Sequence, residues 1–256
     1  MGMSGSVERT KRLIYPETVA GGFSRVDGTI EFYQRVNSLV KPSHVVLDIG
    51  AGRGQGHIDD DCDYRRSLRT FRGRVAKVVG IDVDPVVISN PSLDEAHLIE
   101  GGRFPLADAS VDVAFSDYTF EHVADPASFA GEAQRVLRPG GWLCARTPNK
   151  FGYISVASRL IPASLHAPVL RRAQPERKSE DVFPTTYLLN TGKALRRHFP
   201  DHVWERYVYA HKAEPAYFGT SAVAWRVADA LLSALPRPLW PTLMIFMRKR
   251  SDGPPA

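Results

Sequence analysis

A run of small residues directly follows the first strongly apolar stretch of this chain. In VVLDIGAGRGQG, residues 45–56, an aspartate precedes four glycines at alternate positions. A glycine loop after a buried strand lets the backbone approach a nucleotide-like ligand at the carboxyl edge of a parallel sheet. The spacing therefore predicts a ligand of this type without identifying it.

Two common nucleotide loops do not match this spacing. A dinucleotide fingerprint, G-x-G-x-x-G, would need glycine at Gln55 or at His57, depending on its first residue. A phosphate-binding P-loop would need a Gly-Lys-Ser/Thr ending, which the stretch lacks. The second and third strands must therefore decide which ligand binds.

The second strand, in VVGIDVDP, ends in Asp82, whose carboxylate could accept hydrogen bonds from both ribose hydroxyls. A turn or a helix cap is the structural alternative for an aspartate in this place. Asp82 follows Asp48 by 34 residues, whereas the dinucleotide spacing is about 20. The excess falls in HIDDDCDYRRSLRTFRGR, residues 57–74, which we interpret as an insertion. Glu100 ends the third predicted strand, where it could meet an exocyclic adenine amine.

Short apolar runs alternate with helical periodicity over most of the chain, which is typical of an α/β fold with parallel strands. Strands are predicted at His44–Ile49, Lys77–Asp82, His97–Glu100, Val111–Ser116, Gly141–Arg146, His202–Ala210 and Leu243–Lys249. Helices are predicted at Thr29–Val40, Pro126–Leu137 and Thr185–His198.

Four motifs together resemble the class I S-adenosylmethionine-dependent methyltransferases, especially the methyltransferase-11-like group. They are VVLDIGAGRG, VVGIDVDP, GGRFPLADASVDVAFSDYTFEHVADP and RVLRPGGWLCARTPN, in the family order, over residues 28–150. The resemblance implies a doubly wound, Rossmann-like seven-stranded sheet of order 3-2-1-4-5-7-6. Its last strand, Leu243–Lys249, would then be antiparallel and inserted beside the fifth.

The resemblance also implies S-adenosylmethionine as the cofactor and assigns residues to it. Asp82 would hold the ribose, and Glu100 with Gly101 would flank the adenine, although family members often carry Asp-Ala in place of that pair. The methionine pocket would be shaped by Asp48, Gly50, Gly52 and Gly54. Further candidate cofactor contacts are Ala51, Val83, Ser116 and Asp117.

The chain is interpreted as a single methyltransferase domain with four parts. Residues 1–40 form an N-terminal lid and helix, and residues 41–148 form the cofactor-binding core. Residues 149–184, which carry four prolines, are interpreted as an inserted cap. Residues 185–256 supply the C-terminal helices and the last strands.

Methyl transfer to a hydroxyl benefits from a general base, and histidine suits that role near neutral pH. His122 follows the fourth strand at the edge where the methyl group should point; its alternative role is packing beneath the pocket. His166, in the cap, is the second candidate. The sequence around Asp117 lacks the Asn/Asp-Pro-Pro motif of adenine-amine methyltransferases, and no Pro-Cys nucleophile for cytosine chemistry occurs.

The tripeptide EHV is also similar to a motif of quinone-biosynthesis O-methyltransferases. In those enzymes a glutamate three residues earlier helps to bind a metal, but this chain has Tyr118 there. Glu121 and His122 alone make a weak ligand pair. No metal site is therefore predicted.

Net charge is +5, and arginines cluster at residues 64–74, 171–178 and 248–250. We interpret such clusters as solvated faces, with anionic substrates, acidic membranes or nucleic acid as alternatives. No motif supports nucleic acid. The start of the chain lacks a secretory signal, and charges interrupt the apolar run at 216–235, so we expect a cytoplasmic protein without a membrane span.

These observations favour a small-molecule O-methyltransferase acting on a sugar, a glycolipid or a polysaccharide precursor. A lipid or quinone methyltransferase is the first alternative, favoured by the apolar stretch at 218–235, and peripheral membrane contact fits it. A non-catalytic S-adenosylmethionine-binding regulator or scaffold is the alternative of another class. The acceptor atom and the oligomeric state stay open.

Overall fold

A computed structural model of the chain describes residues 3–153, 155–156, 184–215 and 221–251. Seven strands form one sheet: β1 Val45–Ile49, β2 Lys77–Asp82, β3 Glu95–Leu98, β4 Val111–Asp117, β5 Leu137–Pro148, β6 Trp204–His211 and β7 Thr242–Lys249. The helices that lie wholly within these described ranges are α1 Met3–Ile14, α2 Gly28–Leu39, α3 Gln55–Ile58, α4 Asp63–Arg69, α5 Pro126–Val136, α6 Gly192–His198 and α7 Ala222–Ala234.

The strand order is β3-β2-β1-β4-β5-β7-β6. Strands β1 to β5 pair in parallel, and β7 is antiparallel to both of its neighbours. This confirms the doubly wound seven-stranded fold and the antiparallel strand beside β5. Because β6 runs in the same direction as β5, six strands end at one edge of the sheet, hereafter the carboxyl edge.

Both faces of the sheet are covered, which explains why the central strands are almost continuously apolar. One core cluster joins β1, β4 and β5 to α5 and α6, with Phe129, Leu195 and Trp204 among its members. The other cluster joins the opposite face to α2 and to the insertion after the glycine loop, through Phe32, Val36 and Phe71.

Side-chain caps explain where several helices begin. Asp27 accepts hydrogen bonds from the first backbone amides of α2, and Asp125 does the same for α5. Thr191 caps α6 and Ser221 caps α7. Each cap satisfies amide groups that have no partner within the helix, which typically stabilises a helix by about 1 kcal/mol.

The third strand begins two residues earlier than the sequence predicts. It pairs with β2 from Glu95 to Leu98 rather than spanning residues 97–100. The last link between these strands is the bond from the Ile99 amide to the Asp82 carbonyl. Gly101 and Gly102 then turn the chain with positive φ angles. Glu100 consequently lies in the turn after the strand.

The helix predicted at Thr185–His198 was also wrong in its first half. Only residues 192–198 are helical, because Thr191 caps the helix there. The preceding segment includes Tyr187, at φ +52°, and contacts the core through hydrogen bonds from the amides of Thr186 and Tyr187 to the Glu121 carbonyl. Tertiary contacts therefore override helical periodicity here.

Most of the predicted cap, residues 149–184, lies outside the described residues, and so does His166. The division of the chain into four parts stays a prediction. None of the described helices is long and apolar enough to cross a membrane.

Candidate functional site

The glycine loop turns sharply at the end of β1. The amides of Gly50 and Ala51 both donate to the Ile81 carbonyl of β2, which holds the start of the loop against the sheet. Gly50 has φ +78°, and a Cβ there would stand 2.6 Å from Cγ2 of Thr119. Only glycine fits this place, because both the backbone and the neighbouring side chain exclude a larger residue.

Gly52 and Gly54 also have positive φ angles, but their surroundings differ. A Cβ at Gly54 would lie 3.0 Å from Cγ of Asn90, whereas a Cβ at Gly52 would meet nothing within 4 Å. Asn90 donates to the carbonyls of Ala51 and Gly52, at 3.0 and 3.2 Å, and supports the loop from behind. The open space in front of Gly52 is where a ligand can approach bare backbone.

Asp82 lies at the end of β2, beside this open space. Its Oδ2 accepts from the Gly52 amide at 2.8 Å, and its Oδ1 accepts from the Asp84 amide at 3.0 Å. Each carboxylate oxygen has a second lone pair, so the side chain can still accept bonds from a ligand. Asp82 thus links the second strand to the glycine loop.

The predicted adenine contacts lie at the outer end of the same edge. Glu100 and Gly101 are exposed, and Glu100 forms an isolated bridge with Arg103. A Cβ at Gly101 would meet nothing within 4 Å. Val83, directly after Asp82, is 66% exposed. An apolar side chain that protrudes this far has surface available for a flat apolar group.

Asp48 precedes the glycines and faces an acidic environment. Burial raises the pKa of its carboxyl group well above the usual range, and the charges of Asp117 and Asp82 raise it further, whereas Arg69 opposes them. Ser116, the other inward member of the predicted set, is fully buried, and its hydroxyl has no hydrogen-bond partner among the described residues. A cationic ligand group would stabilise the ionised form of the Asp48 carboxyl group.

The end of β4 and the end of β5 are joined by a buried ion pair. Arg146 donates from Nε and Nη2 to the two oxygens of Asp117, both at 2.7 Å. Burial alone would raise the pKa of Asp117 and lower that of Arg146. Their pairing reverses both effects, so the carboxyl pKa is lowered and the guanidinium pKa is raised. Both groups are therefore charged at neutral pH.

Two tyrosines surround this ion pair. Tyr33 of α2 donates its hydroxyl to Asp117 at 3.2 Å, and its pKa is raised well above normal by burial and by that carboxylate. Tyr118, at φ +58°, places its ring 4.7 Å from the Arg146 guanidinium and is 41% exposed. Thr29 Oγ1 accepts a further bond from Arg146 at 3.0 Å. Helix α2 therefore helps to build the site.

Two arginines of the insertion after the glycine loop turn inward, whereas others in it stay on an exposed face. Arg65 pairs with Asp60 and with the α2 cap Asp27, at 2.7 and 3.0 Å. Arg69 reaches Thr29 Oγ1 at 3.3 Å and Asp60 at 3.7 Å. Its Nε is buried and has no hydrogen-bond partner among the described residues. Arg69 thus places a positive charge near Asp48, and its Nε can still donate a hydrogen bond.

His122 ends a short 3-10 turn, Phe120–His122, just beyond β4. Its Nδ1 lies 2.7 Å from the Pro184 carbonyl. Because a carbonyl only accepts, Nδ1 carries the proton and the basic lone pair of the neutral ring is on Nε2. The adjacent Glu121 turns inward and accepts from Thr147 Oγ1 at 2.9 Å. Glu121 therefore bonds to strand β5, whereas His122 bonds to the segment that begins at Pro184.

Within the described residues, no group of three or more histidine, cysteine, aspartate or glutamate side chains is arranged to hold a metal ion. Glu121 instead supports the chain that returns at residues 184–187. Thr147 links it to Asn190, whose Nδ2 donates to Thr147 Oγ1 at 2.7 Å.

Several residues of this site were not identified from the sequence: Thr29, Tyr33, Arg69, Asn90, Thr119 and Arg146. One of them carried a readable signal. Arg146 interrupts the apolar strand GGWLCARTP, and a charge in a buried strand needs a partner. The others occupy ordinary positions in helices and turns, so only their spatial neighbours reveal them.

Comparisons with known proteins agree with this geometry. A family described as a methyltransferase domain matches residues 47–145. A probable S-adenosylmethionine-dependent methyltransferase of Mycolicibacterium smegmatis is 36% identical over 115 residues, 42% of this chain and 39% of that protein. Malonyl-[acyl-carrier protein] O-methyltransferase of Serratia marcescens is 28% identical over 130 residues, 49% of this chain and 50% of that protein. The chain thus spans at most half of these relatives.

Solved structures share the fold over a longer stretch. An S-adenosylmethionine-dependent methyltransferase from Archaeoglobus fulgidus has a TM-score of 0.52 at 16% identity, covering 85% of this chain and 90% of that one. A [4+2]-cyclase has the same TM-score at 14% identity, covering 87% of this chain and 82% of that one. Fold alone therefore does not define the reaction.

The bare loop at Gly52, the carboxylate of Asp82 and the matched motifs fit one cofactor together. Residues 47–145 match the methyltransferase-domain family, their relatives include a probable S-adenosylmethionine-dependent methyltransferase, and S-adenosylmethionine is the cofactor that this similarity supports.

Proposed function

We propose that this chain is an S-adenosylmethionine-dependent O-methyltransferase that acts on a hydroxyl group of a small molecule such as a sugar, a glycolipid or a polysaccharide precursor. The observation that carries the proposal is the position and tautomer of His122. The imidazole follows β4 at the carboxyl edge, and its bond to the Pro184 carbonyl leaves the basic lone pair on Nε2. A hydroxyl acceptor needs such a base.

The cofactor half of the proposal assigns four groups. Backbone at Gly52 would contact the cofactor, and Asp82 would accept the ribose hydroxyls. Asp48 would face the methionine ammonium group, and Arg69 would face the methionine carboxylate. The raised pKa of Asp48 supports its assignment, and the buried, partnerless Nε of Arg69 supports the other.

The bound cofactor supplies an activated methyl group on a sulfonium. The protein must then align the acceptor, exclude water and remove one proton. His122 would take the hydroxyl proton on Nε2. Tyr33 and Tyr118 stay protonated because their pKa values are raised, so they would orient groups rather than remove protons.

Oxygen as the acceptor atom is supported by the O-methyltransferase from Serratia marcescens among the relatives. A lipid acceptor is the second candidate, supported by exposed apolar side chains on α7 such as Val223 and Leu231. A cytoplasmic location is part of the proposal and is supported by two free cysteines, Cys62 and Cys144.

Transfer of a labelled methyl group into a fractionated extract of the native host tests the reaction. We expect label in a small hydroxyl compound or a glycolipid, and loss of that label on mild base treatment would indicate an ester instead. Binding of S-adenosylhomocysteine without any labelled product would favour the regulator or scaffold.

Calorimetry with two ligands tests the cofactor assignments. Asp82→Ala should weaken S-adenosylhomocysteine binding about tenfold to a hundredfold, because charge-assisted hydrogen bonds are worth about 1.5–3 kcal/mol each. Arg69→Met should weaken S-adenosylhomocysteine but not 5′-methylthioadenosine, which lacks the amino-acid tail. Equal losses for both ligands would show that Arg69 only braces the fold.

A further inference from the structure

The outward face of α7 has an unusual composition for a helix on a protein surface. Trp225, Ala228 and Leu232 are buried, so this side packs against the domain. The opposite side exposes Val223 at 71%, Val227 at 54% and Leu231 at 63%. A surface helix ordinarily shows polar residues on its outer side, whereas α7 is apolar on both sides. This face therefore needs an apolar environment.

The charged residues of α7 and of the turn that follows it are two arginines and one aspartate, Asp229. Asp229 is already engaged by Lys212 at 2.8 Å and by the Tyr15 hydroxyl at 2.7 Å. Arg226 is exposed on α7 and Arg237 follows the helix. An apolar strip bordered by arginines complements a surface that offers acyl chains beneath anionic groups.

The face lies at the same edge of the sheet as the site. Lys212, which pairs with Asp229, directly follows β6, and β6 ends at the carboxyl edge. Asn149, directly after β5, donates to the carbonyls of Pro238 and Trp240 at 2.7 and 2.8 Å. These contacts attach α7 and its following turn next to the ends of β5 and β6.

We propose that this face of α7 docks the protein onto an anionic lipid surface, with the carboxyl edge of the sheet turned toward the headgroups. The helix has 13 residues, whereas a membrane span needs about 20, so α7 would lie along the surface. The proposal rests on the proposed function in one respect, because docking there would serve an acceptor that resides in or near the membrane.

Vesicle sedimentation of the whole chain tests this docking. We expect binding to vesicles of equal parts phosphatidylcholine and phosphatidylglycerol, about tenfold stronger than to phosphatidylcholine alone and weakened by salt. A variant with Val223→Ser, Val227→Ser and Leu231→Ser should lose at least about tenfold in binding to the anionic vesicles. The matched control is Ile88→Ser, because Ile88 is also 63% exposed but lies near β3 at the other end of the sheet.

Three results would overturn the docking. They are the absence of vesicle binding by the unaltered chain, equal binding by the triple variant, and a change of oligomeric state in the triple variant, which would assign the face to a second copy. S-adenosylhomocysteine binding, measured on each protein, keeps the two proposals apart. Intact cofactor binding and methyl transfer without vesicle binding would remove the docking alone, whereas vesicle binding without methyl transfer would remove the enzymatic proposal.

Discussion

The two halves of the carboxyl edge are built in different ways. At β1 and β2 the site consists mainly of backbone, with Gly50 and Gly52 in conformations that other residues rarely adopt. At β4 and β5 it consists of side chains, with Asp117 and Arg146 paired in the interior. The first half can be recognised in a continuous stretch of sequence, whereas the second half is assembled from separate segments. A motif therefore reveals the cofactor sooner than the acceptor.

We call the half of the carboxyl edge at β4 and β5 the acceptor half, because the proposed base follows β4. Removal of this base should have the largest effect on turnover. His122→Ala should lower turnover by about 10²–10⁴-fold and leave S-adenosylhomocysteine affinity nearly unchanged, because a general base acts on the reacting proton. Steady-state kinetics and calorimetry measure the two quantities, and His202→Ala, at an exposed position, is the control. A loss below about tenfold would mean that alignment alone suffices or that His166 carries the proton.

Breaking the buried ion pair should test whether the acceptor half depends on side chains for stability. Arg146→Met should lower the free energy of unfolding by about 3–5 kcal/mol, because it leaves the Asp117 carboxylate buried without its partner. Urea unfolding measures the change. Asp108→Asn removes an exposed partner of Arg135 and should cost at most about 1 kcal/mol. Similar costs for the two variants would contradict the difference between buried and exposed pairs.

Two alanine substitutions should separate structure from ligand contact within the glycine loop. Gly50→Ala should destabilise the fold by about 2–5 kcal/mol, since left-handed strain of about 1–2 adds to a steric cost of about 1–3. Gly52→Ala should cost only the strain, because its Cβ enters open space. The same change should nevertheless weaken S-adenosylhomocysteine at least about tenfold. Intact ligand binding in Gly52→Ala would place the cofactor elsewhere.

The smallest expected effect is a proton released on cofactor binding. The folded-state pKa of Asp48 is raised above the unfolded value of about 3.9, so the folded protein holds this proton more tightly. In the free protein its contribution to stability therefore falls as pH rises from about 4 to the raised pKa. A cofactor ammonium group favours the ionised carboxylate, so affinity should increase as pH rises through that raised pKa.

Calorimetry in buffers of different ionisation enthalpy measures this release. Asp48→Asn should abolish it, and it should also remove the fall in stability. Release of the same size in Asp48→Asn would assign the proton to another group of the protein or to the ligand itself.

The sequence predicted features that depend on neighbouring residues better than features that depend on contacts between distant segments of the chain. The strand order and the position of the glycine loop followed from local patterns and family motifs, and the sheet confirms them. The third strand and the first half of the helix before His198 were misplaced by the same local patterns. Pairing with β2 sets the position of the third strand, and contacts with Glu121 set the path of the segment before the helix.

The insertion at residues 57–74 also shows that local patterns do not reveal contacts with distant segments. Its arginines suggested a solvated face because a run of like charges cannot reveal its partners. In the structure, Arg65 pairs with Asp27, 38 positions away, and with Asp60. Neither contact has a sequence signal, since ion pairs form between any segments that the fold brings together.

The sequence by itself determined the parallel α/β sheet and the bare loop between Asp48 and Gly56, because these depend on neighbouring residues and on backbone conformations that only glycine adopts freely, and the resemblance of its motifs to a family indicated the cofactor. Only the tertiary structure decided that Tyr33, Asp117 and Arg146 form one network, that Arg69 approaches Asp48, and that α7 exposes an apolar side at the same edge. These features depend on contacts between distant segments and on which side of a helix is left uncovered, which are properties of packing.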